Sequence, residues 1–414
     1  MSNQSTKSDD MNDDGMLNAE MQRKLPQGKI LQPKLRFKGF ADPWQQRKYS
    51  DYLIESNIPG HDGSEANKLT VKLWGKGVVE KETVTAGSNA TKYYIRHTGQ
   101  LMYGKLDFLH AAFGLVPPEL DGYESTADSP AFDILPSADP NFILMTCLSK
   151  HTYLYQGNLA DGSRKAKRVH VPTFLDMSLN IPNIEEQYRI VLFLHTIDKL
   201  IAAAKKKADL LKLKKRYYLQ AIFSQQLRFK GFTEPWQQRK LGELFKERSE
   251  RSNQGELISV TITNGVVPAS SLERKDNSSE DKSNYKQVKT GDIAYNTMRM
   301  WQGASGVSPY SGILSPAYTV LIPSSEVSSS FFAQMFKLVR MLHLFQRYSQ
   351  GLTSDTWNLK YPLLSEIRVT IPSLAEQERI SEFLVLNDEL TALVKKKAED
   401  LQKIKSYYLQ QLFV

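Results

Sequence analysis

Apolar residues recur at alternating steps of three and four along two stretches of this chain, Ile181 to Phe223 and Ile371 to Phe413. In the first, Ile190, Phe193, Ile197, Leu200, Ala204, Leu211 and Tyr218 trace one stripe. In the second, Ile380, Phe383, Leu390, Val394, Leu401, Ile404 and Tyr408 do the same. That spacing predicts two long helices, each carrying a coiled-coil seam. Each opens on a helix-start signal. Asn183 and Ser373 are N-cap types, and Glu186 and Glu376 follow three residues later as the reaching half of a capping box. No Pro or Gly interrupts either run before the YYLQ signature. The stretches are also copies of each other, about half identical and about 190 residues apart, so the pattern is an internal repeat. Two helices with one apolar stripe each bury those stripes most simply against one another, in antiparallel pairing. About forty residues of helix span on the order of 60 Å.

The repeat extends beyond the helices. LRFKGFADPWQQRK (Leu35 to Lys48) recurs almost verbatim as LRFKGFTEPWQQRK (Leu227 to Lys240). The middles, residues 49–180 and 241–370, differ much more, yet landmarks align. HTGQLMYGKLD (His97 to Asp107) answers KTGDIAYNTMR (Lys289 to Arg299), SPAFDIL answers SPAYTVL, and LTVKLWGKGVV answers LISVTITNGVV. Their β-branched and aromatic residues with Gly at the turns predict short strands. Each middle also holds one helical run, PNFILMTCLSKHTYLYQ and SSSFFAQMFKLVRMLHLFQRYSQ, with Gly157 and Gly351 as the stops. The expected fold is α+β, with two small α/β domains joined by two long antiparallel helices in a pseudo-two-fold repeat. The boundaries are a disordered tail over 1–34, a first domain over 35–180, a first helix over 181–226, a second domain over 227–370 and a second helix over 371–414.

Composition narrows the partners. The formal net charge of +9 points to an anionic one, nucleic acid first. The opening residues are polar and acidic, neither a secretory signal nor a transit peptide, and read as a disordered tail. No apolar run is long enough to span a membrane. The single cysteine, Cys147, lies in the apolar run FILMTCL, as a buried core thiol would. A lone cysteine fits a reducing cytoplasm.

The chemistry of a DNA enzyme is not written in the chain. There is no phosphate-binding GxxxxGK[ST] loop, no Asn- or Asp-Pro-Pro-aromatic tetrapeptide and no glycine-rich nucleotide loop after an early strand. The Glu-x-Lys matches at Glu273 and Glu280 sit in a polar loop without an upstream Pro-Asp. The seven histidines are scattered, and with one cysteine no zinc site is expected. No catalytic residue, metal or cofactor is assigned to this chain, which reads as a binding protein.

Contacts to DNA are then sought among basic, polar and aromatic residues flanking the strand landmarks. In the second domain these are Lys286, Arg299, Trp301 and Gln302, with Thr353, Ser354, Asp355 and Trp357 just after its helix. In the first they are Lys105 and His110, and from the run GSRKAKRVH, Arg164, Lys165, Lys167, Arg168 and His170. Arg and Gln can read guanine and adenine edges bidentately, whereas Lys clusters mainly neutralise phosphate. For Trp301 and Trp357 core packing is the competing explanation, and for a basic loop a solvated surface. Lys205 to Lys207 and Lys395 to Lys397 recur within both helices, as a solvated face or as a polar layer that sets register.

These residues resemble a family. The duplicated segment ending in PWQQRK, the TGDIAY and SPAY landmarks, and the IP-x-x-x-EQ opening of each helix are similar to the specificity subunit of type I restriction–modification systems. The resemblance covers nearly everything after the tail. It implies a non-catalytic reader of double-stranded DNA in which each domain recognises one half of a split, asymmetric site. The helices would fix the gap and dock two modification subunits. Those subunits would carry S-adenosylmethionine and methylate adenine, while restriction subunits with motor and nuclease activity would use ATP and Mg²⁺. Gln100 stands where the second half has Asp292, a departure within the TGD turn. The alternatives are a coiled-coil assembly scaffold with no role in reading DNA, and a self-contained DNA enzyme.

Overall fold

A computed structural model of the chain describes residues 32–82, 91–158, 168–273, 280–354 and 356–413. Of the tail read from the sequence, residues 1–31 lie outside the described residues. The chain falls into two compact units. The first is made of residues up to Ala202 together with those from Ala398 on, and the second is Ala203–Lys397. Both long helices form. Helix α1 is Ile184–Phe223 and α2 is Leu374–Leu412, and the division into units falls within each of them.

Each unit is built on the same sheet. In the first, four antiparallel strands lie in the order Leu53–Ser56, Ala131–Ile134, Leu101–Tyr103, Phe113–Leu115. In the second the order is Phe245–Glu247, Tyr318–Pro323, Ile293–Asn296, Ser305–Val307. The central strands are the SPAF/SPAY and TGQLMY/TGDIAY landmarks. Leu101–Tyr103 and the first three residues of Ile293–Asn296 are buried, so these two strands read as apolar runs rather than alternating. The LTVKLWGKGVV and LISVTITNGVV segments are β-hairpins, Leu69–Val71 with Val78–Glu80 and Ile258–Thr261 with Gly265–Pro268.

The helical runs differ from expectation. The second is two helices, Ser329–Met335 and Val339–Tyr348, interrupted at Phe336 to Leu338. Phe336 lies in the unit's core and Leu338 packs against it. Gly157 caps the turn His151–Gln156 with a right-handed rather than a left-handed backbone. A Cβ there would lie 2.8 Å from Leu109 and 2.9 Å from Phe108, so glycine is needed for close packing instead. Cys147 is fully buried, and burial pushes its thiol pKa up to about 12, the state of an inert core thiol.

The PWQQRK arm acquires a reason. Gln45–Lys48 pairs antiparallel with Ser178–Ile181, the strand that leads into α1. Gln237–Lys240 pairs in the same way with Arg368–Ile371 ahead of α2. The tryptophan of each arm is the anchor. Trp44 is 1% exposed against Phe142, and Trp236 is 8% exposed against Phe331 and Phe223.

The IP-x-x-x-EQ motif is a second clasp. Asn183 caps α1 by accepting from the Glu186 N–H at 2.9 Å. The Glu186 carboxylate, however, does not complete a capping box. It is held bidentately by Arg36, at 2.9 and 2.6 Å. Arg228 holds Glu376 in the same way, at 3.0 and 2.6 Å. Both carboxylates are nearly inaccessible, and a charged fork offers them more than one backbone N–H could. The next residue reaches into the domain. Gln187 accepts from the Asp139 N–H and donates to the Pro182 carbonyl, while Gln377 accepts from the Ser328 N–H and donates to the Pro372 carbonyl. Asp139 and Ser328 are themselves N-caps of the domain helices.

Within each unit the two helix segments face each other in antiparallel order. In the first, Phe193 meets Tyr408 edge-on at 4.8 Å and Asp198 takes Lys405 at 2.7 and 2.8 Å. In the second, Tyr218 meets Phe383 at 5.0 Å and Asp388 takes Lys215 at 2.8 and 2.6 Å. The buried stripe corrects the sequence register. Leu200, Leu390 and Ile404 are 49%, 41% and 44% exposed, whereas Leu194, Ile201, Ala208, Leu384 and Ala398 are buried. A stripe read one residue off still shows three-and-four spacing, because positions one apart on a helix differ by only 100°. Ile190, Ile197, Ala204, Ile380 and Val394 are buried, and Phe193, Leu211, Tyr218, Phe383, Leu401 and Tyr408 are half-buried. The lysine triplets at 205–207 and 395–397 are exposed. The charges set among the seam residues are instead Lys215 and Lys405.

Candidate nucleic-acid interface

A hairpin tip and a short 3₁₀ turn meet at the same place in both units. In the first unit the hairpin crosses the sheet where Gly77 lies against Gly114, and a Cβ on Gly114 would come within 2.8 Å of the Gly77 Cα. Gly265 lies against Gly306 in the second unit, where the same construction gives 3.2 Å. The close approach calls for glycine at 114 and 306, while Gly77 (φ +89°) and Gly265 (φ +63°) are held to glycine by their left-handed backbone. The tips then dock on the 3₁₀ turns. The Trp74 and Gly75 N–H groups donate to the His110 and Ala111 carbonyls at 2.8 and 2.9 Å. In the second unit the dock is a side chain, as Lys337 donates its ammonium to the Gly303 carbonyl and, at 3.4 Å, to that of Ile262. Burial lowers the pKa of this lysine.

Around these turns the structure gathers some of the candidate residues. In the second unit Arg299, exposed, donates to the Gln302 side chain at 3.1 Å. Trp301 donates its indole N–H to the Met298 carbonyl at 3.1 Å and meets Trp357 edge-on at 5.1 Å. Both tryptophans are half-buried. Thr353 and Ser354 are exposed, and the Thr353 N–H donates to Thr356 Oγ1 at 3.1 Å in the turn that carries Trp357; Asp355 lies outside the described residues. The 299–302 turn and the 353–357 turn are thus one surface. Lys286 stands apart. Its side chain is 14% exposed and paired with Glu247 at 3.0 Å, in a polar cleft with Thr297, Asn358 and Lys360.

In the first unit Lys105 is half-buried and its backbone is pinned on both sides, to Asp128 at 2.9 Å and Val169 at 3.1 Å. Arg168 is ion-paired with Asp128 at 3.0 Å, so Lys105 and Arg168 share one neighbour. His170 is exposed ahead of the helix Val171–Asp176. Arg164, Lys165 and Lys167 lie outside the described residues. His110 is half exposed and packs edge-on against Trp74 at 5.7 Å.

Sequence reasoning passed over the hairpin tips. Leu73, Trp74 and Leu106 in the first unit, and Ile262 and Met298 in the second, are large apolar side chains left exposed beside these turns. The signal was a tryptophan followed by two closely spaced glycines between two short strands, in KLWGKG. Among the described residues no cluster of metal-ligating side chains occurs and no helix is long and apolar enough to cross a membrane.

The same scaffold occurs in both units, with differing tips on matched turns. Residues 233–403 match the family model described as the type I restriction modification DNA specificity domain. The fold is similar to the type I restriction-modification system S subunit from M. genitalium, at a TM-score of 0.52 and 15% identity over 93% of this chain and 99% of that one. It is similar to the HsdS subunit from Thermoanaerobacter tengcongensis, at 0.52 and 16% over 90% and 97%. A chain from a structure concerned with complex assembly and conformational transition of the type I R-M system matches at 0.50 and 16%, over 91% and 99%. No curated protein sequence matches. The family match thus lies within the second half of the chain, and the likeness to the solved S subunits is one of fold over nearly the whole of it.

Proposed function

We propose that each unit reads one half of a bipartite, asymmetric DNA site, and that α1 and α2 set the number of unread base pairs between the halves. The observation that carries this is the uneven distribution of difference between the units. The strand order of the sheet is repeated, and the Trp-anchored arm, the Arg–Glu clasp and the helix pairing are repeated residue for residue. The hairpin tips and the turns beside them are not. Identical readers about a two-fold would read a palindrome, so unlike tips on like scaffolds suit a site with unlike halves. The domain limits follow the sequence reading, with residues 35–180 and 227–370 as the recognition domains and 181–226 and 371–414 as the spacers.

In this reading the contacts come from Arg299, Gln302, Trp301, Trp357, Thr353 and Ser354 in one unit, and from His110, Lys105, Arg164, Lys165, Lys167, Arg168 and His170 in the other. Lys286, engaged with Glu247, is the weakest of the candidates. The partners are two modification subunits, bringing S-adenosylmethionine, and restriction subunits using ATP and Mg²⁺. Exposed apolar side chains on the helices suit the docking of the modification subunits: Tyr188, Leu192 and Tyr407 in the first unit, Leu213, Tyr217 and Leu386 in the second. Exchange of residues 49–180 for the corresponding middle of a relative, followed by mapping of methylated adenines, tests the division of labour. One half-site is expected to change and the other to stay; a change in both would overturn it.

A further inference from the structure

Trp74 stands out among the exposed side chains of the first unit. It is 58% exposed at the tip of a hairpin, with Leu73 at 39% beside it. Its backbone has φ +60°, a left-handed conformation rare for a residue with a bulky side chain. Ala111, which receives the hairpin, is left-handed too, at φ +50°. Two such residues persist only where the surroundings over-determine them. Here the determinants are the paired hydrogen bonds from Trp74 and Gly75 and the Gly77–Gly114 contact. The fold therefore holds a large apolar ring out in solvent on a rigid, strained mount. A ring placed so for stability would be turned inward.

What the ring meets is argued from the repeat. A surface that binds a partner present in two equivalent copies should itself occur twice, as the arms and helices do. The tip does not. The position answering Trp74 is Ile262, on a hairpin whose turn is shorter: Val71 and Val78 flank six residues, whereas Thr261 and Gly265 flank three. The tip thus faces something that differs between the halves, which in the proposed function is the DNA sequence. Charge agrees, since Lys72 and Lys76 flank the ring and both are exposed. Cationic groups beside an apolar wedge are the combination used by proteins that press a side chain against base steps and hold the adjacent phosphates.

We infer that Trp74 is a specificity-determining residue of the first unit, its indole inserted against a base step of the first half-site or its immediate flank, with His110 bracing the ring and Lys72 and Lys76 on the neighbouring phosphates. This rests on the first unit being a DNA reader. A pyrimidine–purine step, which unstacks most readily, is the expected target.

The test uses the chain assembled with its modification subunits, on duplexes carrying the site defined by methylation mapping, with 2-aminopurine placed singly through the first half-site and its flanks. Wild type is expected to raise fluorescence at one position by unstacking it. W74A is expected to lose that signal and to bind the cognate duplex about tenfold more weakly, with discrimination at the second half-site unchanged; W74F is expected to retain part of both. Cognate binding and fluorescence equal to wild type in W74A would overturn the inference while leaving the domain-exchange result, and so the reading of the unit, intact. Loss of assembly with the modification subunits in both W74A and W74F would overturn it in favour of a protein contact.

Discussion

The TGQ turn of the first unit and the TGD turn of the second do the same local work with different chemistry. Gln100 accepts from the His97 N–H at 2.9 Å, and Asp292 accepts from the Lys289 N–H at 2.8 Å. Beyond that they part. The amide of Gln100 donates to Asp133 at 2.8 Å, near the surface, whereas the carboxylate of Asp292 takes the buried guanidinium of Arg248 at 2.7 and 2.9 Å. The first unit has its own buried arginine, Arg96. It is 1% exposed, donates to Ser125 and to the Ser56 carbonyl, and burial draws it down to about 10. One fold therefore tolerates an ion pair or a neutral network at the sheet's end, provided each polar group is satisfied. The two units differ in how they are held together as well as in what their tips present.

The largest expected difference is at this turn. Arg248→Ala leaves Asp292 buried without its counter-charge, which costs about 3–5 kcal/mol. Gln100→Ala removes one cap and one partly exposed contact, costing about 1 kcal/mol. Native-state hydrogen exchange of the two four-stranded sheets measures each locally. Equal losses would mean that Asp292 is not the keystone of its unit.

The Arg–Glu clasps should instead behave alike. Arg36→Ala and Arg228→Ala each strand a buried glutamate, and each is expected to lose about 3 kcal/mol, the low end of that range because the arginines are partly exposed. A wide gap between them would break the equivalence of the two units where the sequences match best.

Smaller still are the helix pairs. Asp198–Lys405 and Asp388–Lys215 are the same pair formed twice, and both include a substantially exposed carboxylate. Double-mutant cycles should give a coupling below about 1 kcal/mol for each. A pair that couples much more strongly than its sister would mark one helix segment as the better ordered.

The smallest effect separates the units by pH. His61 bonds the buried Glu124 carboxylate in the first unit only, and that bond raises its pKa above 6.5. A group whose folded pKa is raised adds stability fully present below its unfolded pKa and lost as pH rises through the folded value. Hydrogen exchange in the Tyr93–Ile95 and Glu124–Thr126 strands should therefore loosen slightly from mildly acidic to mildly alkaline pH, and H61A should abolish the change. The second unit should show no counterpart from this source.

The order of elements, the repeat and the long helices were legible because they rest on period and identity, which need no partner to be seen. PWQQRK, EQ and SPAY could be recognised as landmarks for the same reason. What each landmark does was not legible. That Glu186 answers Arg36 rather than its own helix end is decided by a chain crossing 150 positions away, and no local pattern encodes which donor arrives first. The seam slipped at Leu200, Leu390 and Ile404 because adjacent positions satisfy the same spacing, and only the facing segment chooses between them. Lys286 looked free in the sequence and is neutralised by Glu247 from another strand. Trp74, at a turn between two strands, carried no periodic signal at all. Its exposure follows from two glycines meeting across the sheet and from a backbone turned left-handed, which are properties of tertiary packing. Local period and composition determine which elements form, whereas the pairing of buried charges and the placing of an exposed ring depend on distances that exist only once the chain has folded.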